Sequence, residues 1–139
     1  MGNNRQPSYL LADFVKACAV GKSKAFVVRE AKLTAKSDFN LHTEEAILDF
    51  IGQGGMESLQ FISSKNWEKN PHPSVPVKVD AYNFYSGLRF GYLAFFHGPV
   101  TDKWIIKSFK GNDQPGPKNL SIANQLGPIR KKLYGGGND

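Results

Sequence analysis

The chain has a single cysteine, Cys18, in 139 residues. A lone thiol excludes an internal disulfide and suits a reducing compartment. No apolar run approaches the roughly 20 residues that a membrane-spanning helix needs. The opening Met1-Gly-Asn-Asn-Arg-Gln-Pro7 is polar and lacks the apolar centre of a secretory signal. The expected location is therefore cytoplasmic. Several chemistries are missing as motifs. Gly52-Gln-Gly-Gly55 has no following Lys-Ser/Thr and ends a helical stretch, so it is no phosphate loop. No Cys/His spacing of the structural-zinc type occurs, and His42, His72 and His97 lie far apart. No Gly-x-Ser-x-Gly elbow is present. Neither a metal nor a cofactor is expected.

Negative charge is scarce where positive charge gathers. Lys and Arg number 18 against 12 Asp and Glu, a net charge of +6. From Lys103 to Tyr134 seven Lys or Arg face one acid, Asp113. That asymmetry is the electrostatic footprint of a nucleic-acid binder, although charge by itself is an unspecific signal.

An apolar fraction of 40% with 12% aromatics fits an ordinary globular chain. Its length fits one hydrophobic core. Residues 8–20 have helical spacing through Leu10, Leu11, Phe14, Val15 and Cys18, with Ser8 as N-cap and Gly21 as the stop. Cys18 on that helix is expected to be packed, not reactive. Residues 24–28 read as a short strand or the start of a second helix. Helix formers run from Arg29 to Ser37 and give way to a turn at 37–40. Thr43 caps a helix from Glu44 to Ile51, with two acids in its first turn. Leu59 to Ser63 is expected as a strand, and 64–76 as an exposed, proline-rich loop that includes His72.

Three aromatic-rich strands follow: Val77–Phe84, Arg89–Phe96 and Lys103–Lys110, with turns at Ser86-Gly87 and 97–102. Helices first and a meander afterwards predict an α+β fold, with the helices on one face of an antiparallel sheet formed mainly by 59–110. Residues 114–139 form a basic, Gly/Pro-containing extension with a short helical candidate, Leu120–Leu126, and a cluster, Arg130-Lys-Lys132.

Tyr82, Arg89, Tyr92, Lys107 and Lys110 lie along these strands, and His97 at a turn. Such a set is suited to gripping a phosphate backbone. RNA carries its own nucleophile, the 2′-hydroxyl. A protein that cuts it without metal must accept that proton, steady the phosphate charge and protonate the departing 5′-oxygen. Lys and Arg suit the second task, Tyr or Lys the proton transfers, and aromatics the stacking of unpaired bases. Each aromatic has the alternative role of core packing. Lys107 and Lys110 have opposite parity, so in a regular strand they face opposite sides.

With these residues in view, the chain resembles the motility quorum-sensing regulator (MqsR-like) mRNA interferase toxins over about residues 7–113. Pro7-Ser-Tyr-Leu-Leu-Ala-Asp-Phe14 is similar to that family's Pro-Thr-Tyr-x-Leu-x-x-Phe opening, and a helix ends at Ile51-Gly52. Asp80-Ala-Tyr82, Tyr92 and Ser108-Phe109-Lys110 follow in the family's order and spacing. The resemblance implies a RelE-like fold over 1–113. It also implies ribosome-independent, metal-independent cleavage of single-stranded mRNA, and a cognate antitoxin that in the family binds zinc and DNA. The family's active-site tyrosine falls on Tyr92 and its closing lysine on Lys110; Lys65 is the nearest counterpart of its earlier lysine. Arg89, Lys107, Tyr82 and His97 are the expected RNA-binding residues. Where the family usually carries Trp-Gln, this chain has Lys78-Val79. Two other readings stand beside this one: a noncatalytic basic RNA- or DNA-binding module, and a toxin-fold protein that acts by binding a protein target.

Overall fold

The computed structural model describes residues 6–112. The candidate helix at Leu120–Leu126, the Arg130 cluster and the boundary at 113 lie outside the described residues. The elements are α1 (Leu11–Val20), β1 (Ala25–Val27), α2 (Arg29–Phe39), α3 (Glu44–Gly52), β2 (Glu57–Asn66), β3 (Lys78–Ser86), β4 (Arg89–His97) and β5 (Trp104–Gly111). The described residues are thus α+β, with three helices and five strands in the order β1-β5-β4-β3-β2. The sheet is mixed, which corrects the antiparallel expectation: residues 25–27 form a short edge strand parallel to β5. A parallel neighbour needs a long connection, and the chain between β1 and β5 supplies one.

Local chemistry accounts for the helix ends. Thr43 Oγ1 accepts from the Ala46 amide at 3.0 Å, and Glu44 and Glu45 occupy the first turn of α3. Asn40, at φ 59°, closes α2 in the left-handed region, its N–H directed to the carbonyls of Ala35 and Lys36. Ser8 does not cap α1, contrary to expectation. Leu10 is at the cap position, without a side-chain bond. The Ser8 amide donates instead to both carboxylate oxygens of Asp80, at 3.1 and 2.9 Å, and the Tyr9 amide donates to one of them at 3.0 Å. The Ser8 and Ser64 hydroxyls are 2.6 Å apart. Asp80 is fully buried, and a buried carboxylate must find donors. Drawing them from residues 8 and 9 ties the N-terminal segment across β3 and β2.

All three helices cover one face of the sheet. Phe14, Cys18, Ala35, Phe39, Ile47 and Ile51 pack on Tyr82, Phe84, Leu93, Phe95, Ile106 and Phe109. Phe14 stacks on Phe95 with ring centroids 3.9 Å apart. Each such buried ring contributes about 1.5–3 kcal/mol relative to exposure. Among the described residues no helix is long and apolar enough to cross a membrane.

Two strands carry bulges that decide which side chains reach the uncovered face. On β4 Phe95 and Ala94 are adjacent, but their partners on β5 are Ile106 and Ser108, so Lys107 is the inserted residue. Trp104 and Ile106 face the helices before it, and Phe109 does so after it. In β2 the partners of Tyr82 and Ala81 are Phe61 and Ser63, which leaves Ile62 as the extra residue. Phe61 packs toward the helices, and so does Ser64 beyond the bulge. Ser63 and Lys65 are thereby turned to the open face.

Candidate functional site

The open face of the sheet is the floor of a groove of about 1120 Å³. Ser108, Ala94, Ala81 and Ser63 are register partners in sequence across β5, β4, β3 and β2. This row of small side chains is a trough running across the strands, about 14 Å long at about 4.8 Å per strand interval. On one side is the row Lys110, Tyr92, Asn83 and Gln60. On the other are Ile105 with Phe96 and Val79 with Lys65. Two loops rise over this second side. One is the 97–103 turn, closed by the Gly98 amide on the Lys103 carbonyl. The other is the loop after β2, closed by the Trp67 amide on the Val77 carbonyl at 2.8 Å.

Four of the expected site residues gather on this face. Lys65, Tyr92 and Lys107 line the groove. The Lys110 ammonium lies 5.5 Å from the centre of the Tyr92 ring. That cation–π contact is worth about 0.5–1 kcal/mol at an exposed site and fixes positive charge beside the phenol. Tyr92 is half-buried, and burial raises its hydroxyl above the ordinary tyrosine value, so the phenol is a proton donor at neutral pH. Lys107 and Lys110 share the face despite their opposite parity, because the bulge at Lys107 reverses the alternation after it.

The other three are elsewhere. Tyr82 is 5% exposed and belongs to the helix-side core, edge-on to Phe61 and stacked with Phe95. Burial first, and the charge of Asp80 second, raise its hydroxyl. His97 is the register partner of Trp104 on the helix side; its Nε2 is 3.2 Å from Asp102 Oδ1 and its ring meets the indole edge. Arg89 is exposed at the start of β4, where Nη1 donates to the Asp38 carbonyl at 3.2 Å. None of the three lines the groove: Tyr82 and His97 are on the helix side, and Arg89 reaches the end of α2.

Sequence reasoning missed several groove residues. Ser63 and Ser108 set hydroxyls in the trough, and Trp67 and His72 line its loop side. Asn83, beside Tyr92 in register, accepts through Oδ1 from the Asn112 side-chain amide at 3.2 Å. The alternation of β3 was the available signal for Asn83. For Ser63 and Ser108 no local signal exists, because both depend on a bulge. Among the described residues four lysines (Lys65, Lys69, Lys107 and Lys110) stand in or beside the groove against two carboxylates, Glu30 and Glu68. The balance favours an anionic ligand. Among the described residues no group of three or more His, Cys, Asp or Glu gathers as a metal cage requires. Comparison with protein-family models, with curated proteins and with solved structures returned no match.

Proposed function

We propose that the chain is an endoribonuclease toxin of RelE-like fold that cuts single-stranded mRNA by 2′-hydroxyl attack, without ribosome or metal, and is restrained by a cognate antitoxin. The observation that carries this reading is the convergence of Tyr92, Lys107, Lys110 and Lys65 on one open face, around a trough floored by small side chains. Small residues let a backbone phosphate settle onto the sheet. Lys107 and Lys110 are placed to stabilise the charge that builds on phosphorus as the 2′-oxygen attacks. Lys65 holds the phosphate from the β2 side. The 2′-hydroxyl proton passes to water in the open groove. The P–O5′ bond breaks as Tyr92 donates its proton to the departing oxygen, leaving a 2′,3′-cyclic phosphate and a 5′-hydroxyl.

Expression in a bacterial host tests the reading. The wild type is expected to arrest growth, and Tyr92→Phe and Lys110→Ala to relieve the arrest while retaining the circular dichroism spectrum and melting temperature of the parent. Arrest by both variants would remove these residues from the machinery. A second reading, a noncatalytic RNA-binding module, is favoured by Val79, which leaves an apolar side chain on the groove wall where the resembled family carries glutamine. Salt-dependent RNA binding with no product from the wild type would select it.

A further inference from the structure

The side of the groove that carries Lys65 also carries aromatic surface. There Trp67 and Phe96 form an aromatic pair, with ring centroids 4.5 Å apart and planes inclined by 31°. Both line the cavity. Phe96 is held by β4, and Trp67 by the amide bond that closes its loop on Val77. The loop is braced internally: the Asn70 side-chain amide donates to the Val75 carbonyl at 2.8 Å, and Asn70 Oδ1 accepts from the His72 amide at 2.9 Å. The indole is thus presented from a bonded frame. From the row of Ala94 to the row of Phe96 is two residues along β4, about 7 Å. That span is comparable to the reach from a backbone phosphate to a neighbouring base.

We infer that Trp67, backed by Phe96, is the platform on which one unpaired nucleobase stacks while the adjoining phosphate occupies the trough. The inference rests on the RNA-binding reading and adds a base-stacking residue to it. Lys65 and His72 line the same cavity and can offer donors to the edge of a stacked base. Aromatic stacking accepts any base face, whereas hydrogen bonding at the edge discriminates among them. A duplex cannot present such a base, which restricts the ligand to single strands.

The test uses the full chain and a short 2′-O-methyl RNA, which binds but lacks the attacking hydroxyl. Anisotropy of a labelled strand gives affinity for the wild type, Trp67→Ala and Trp67→Phe. An abasic strand of equal length and charge is measured beside it. Trp67→Ala is expected to weaken RNA binding by about tenfold or more, within the range found for loss of a stacking aromatic. Trp67→Phe is expected to recover most of the loss. The abasic strand is expected to bind wild type and Trp67→Ala alike. In a Trp104→Phe background, where Trp67 is the remaining indole, the RNA is expected to quench fluorescence saturably. Equal RNA affinity of wild type and Trp67→Ala would overturn the platform and leave RNA binding standing. No RNA binding by folded wild type would overturn both readings and leave the apolar groove rim to a protein partner.

Discussion

At the scale of the residue, burial sets the protonation of four tyrosines and one cysteine. Burial raises the Tyr92 hydroxyl, so its donor form persists through and above the ordinary tyrosine range of about 10. Activity that needs this proton is present below that range and is lost as pH rises through the raised value. A rate profile is expected to show no fall from Tyr92 ionisation below pH of about 10; a Tyr92 hydroxyl found by spectroscopic titration to ionise near neutrality would contradict it. The hydroxyls of Tyr9, Tyr82 and Tyr85 are also raised by burial. A raised folded value contributes stability that is present below the unfolded value and disappears on ionisation. Stability is therefore expected to drop above pH of about 10, as alkaline melting curves would register. The Cys18 thiol is pushed up to about 12 by burial. It is expected to react with a thiol reagent only after unfolding; fast labelling of the native chain would refute its packing. Asp80 accepts three backbone hydrogen-bond contacts from Ser8 and Tyr9. Asp80→Ala leaves those amides unanswered and is expected to cost about 2–3 kcal/mol in denaturant unfolding.

At the scale of the element, two bulges explain both what the sequence displayed and what it concealed. Helix α3 was legible because Thr43, Glu44 and Glu45 announce its start, and β3 to β5 because aromatic runs alternate with turn residues. β1 remained ambiguous because three residues are too few for either period to emerge. The groove was only half legible. Alternation alone predicts that Lys65 would share a face with Phe61, and Lys110 with Ile106, which is the core. The inserted Ile62 and Lys107 turn both lysines outward, and no local pattern marks an inserted residue. Deleting Lys107 is expected to drive Lys110 toward the helices and abolish cooperative unfolding, whereas Lys107→Ala leaves stability within about 0.5 kcal/mol. A deletion that unfolds like the parent would show the bulge to be incidental. Helix contact imposes a second constraint. A Cβ on Gly52 of α3 would lie 2.5 Å from the Cα of Ala19 in α1. Backbone cannot yield as a flexible side chain does, so Gly52→Ala is expected to cost about 1–3 kcal/mol, read as a lowered melting temperature.

At the scale of the whole molecule, the sheet separates two tasks. Among the described residues one face is closed by three helices and an aromatic core; the other is open, cationic and floored by small side chains. The Asp80 anchor links the N-terminal segment, through the Ser8 and Tyr9 amides, to the strand beneath. Binding at the open face is expected to weaken with salt in proportion to the phosphates neutralised. Replacing Lys107 and Lys110 together with Ala should lower the slope of log affinity against log salt by about 1.4, at about 0.7 per single-strand phosphate. An unchanged slope would place the nucleic acid elsewhere. The central claim, cleavage on this face, is tested most directly by incubating the purified protein with a long defined mRNA in EDTA, without ribosomes, and mapping the ends. The account predicts discrete cuts bearing 2′,3′-cyclic phosphate and 5′-hydroxyl ends, lost in Lys110→Ala. Intact RNA after incubation with folded wild-type protein would contradict it.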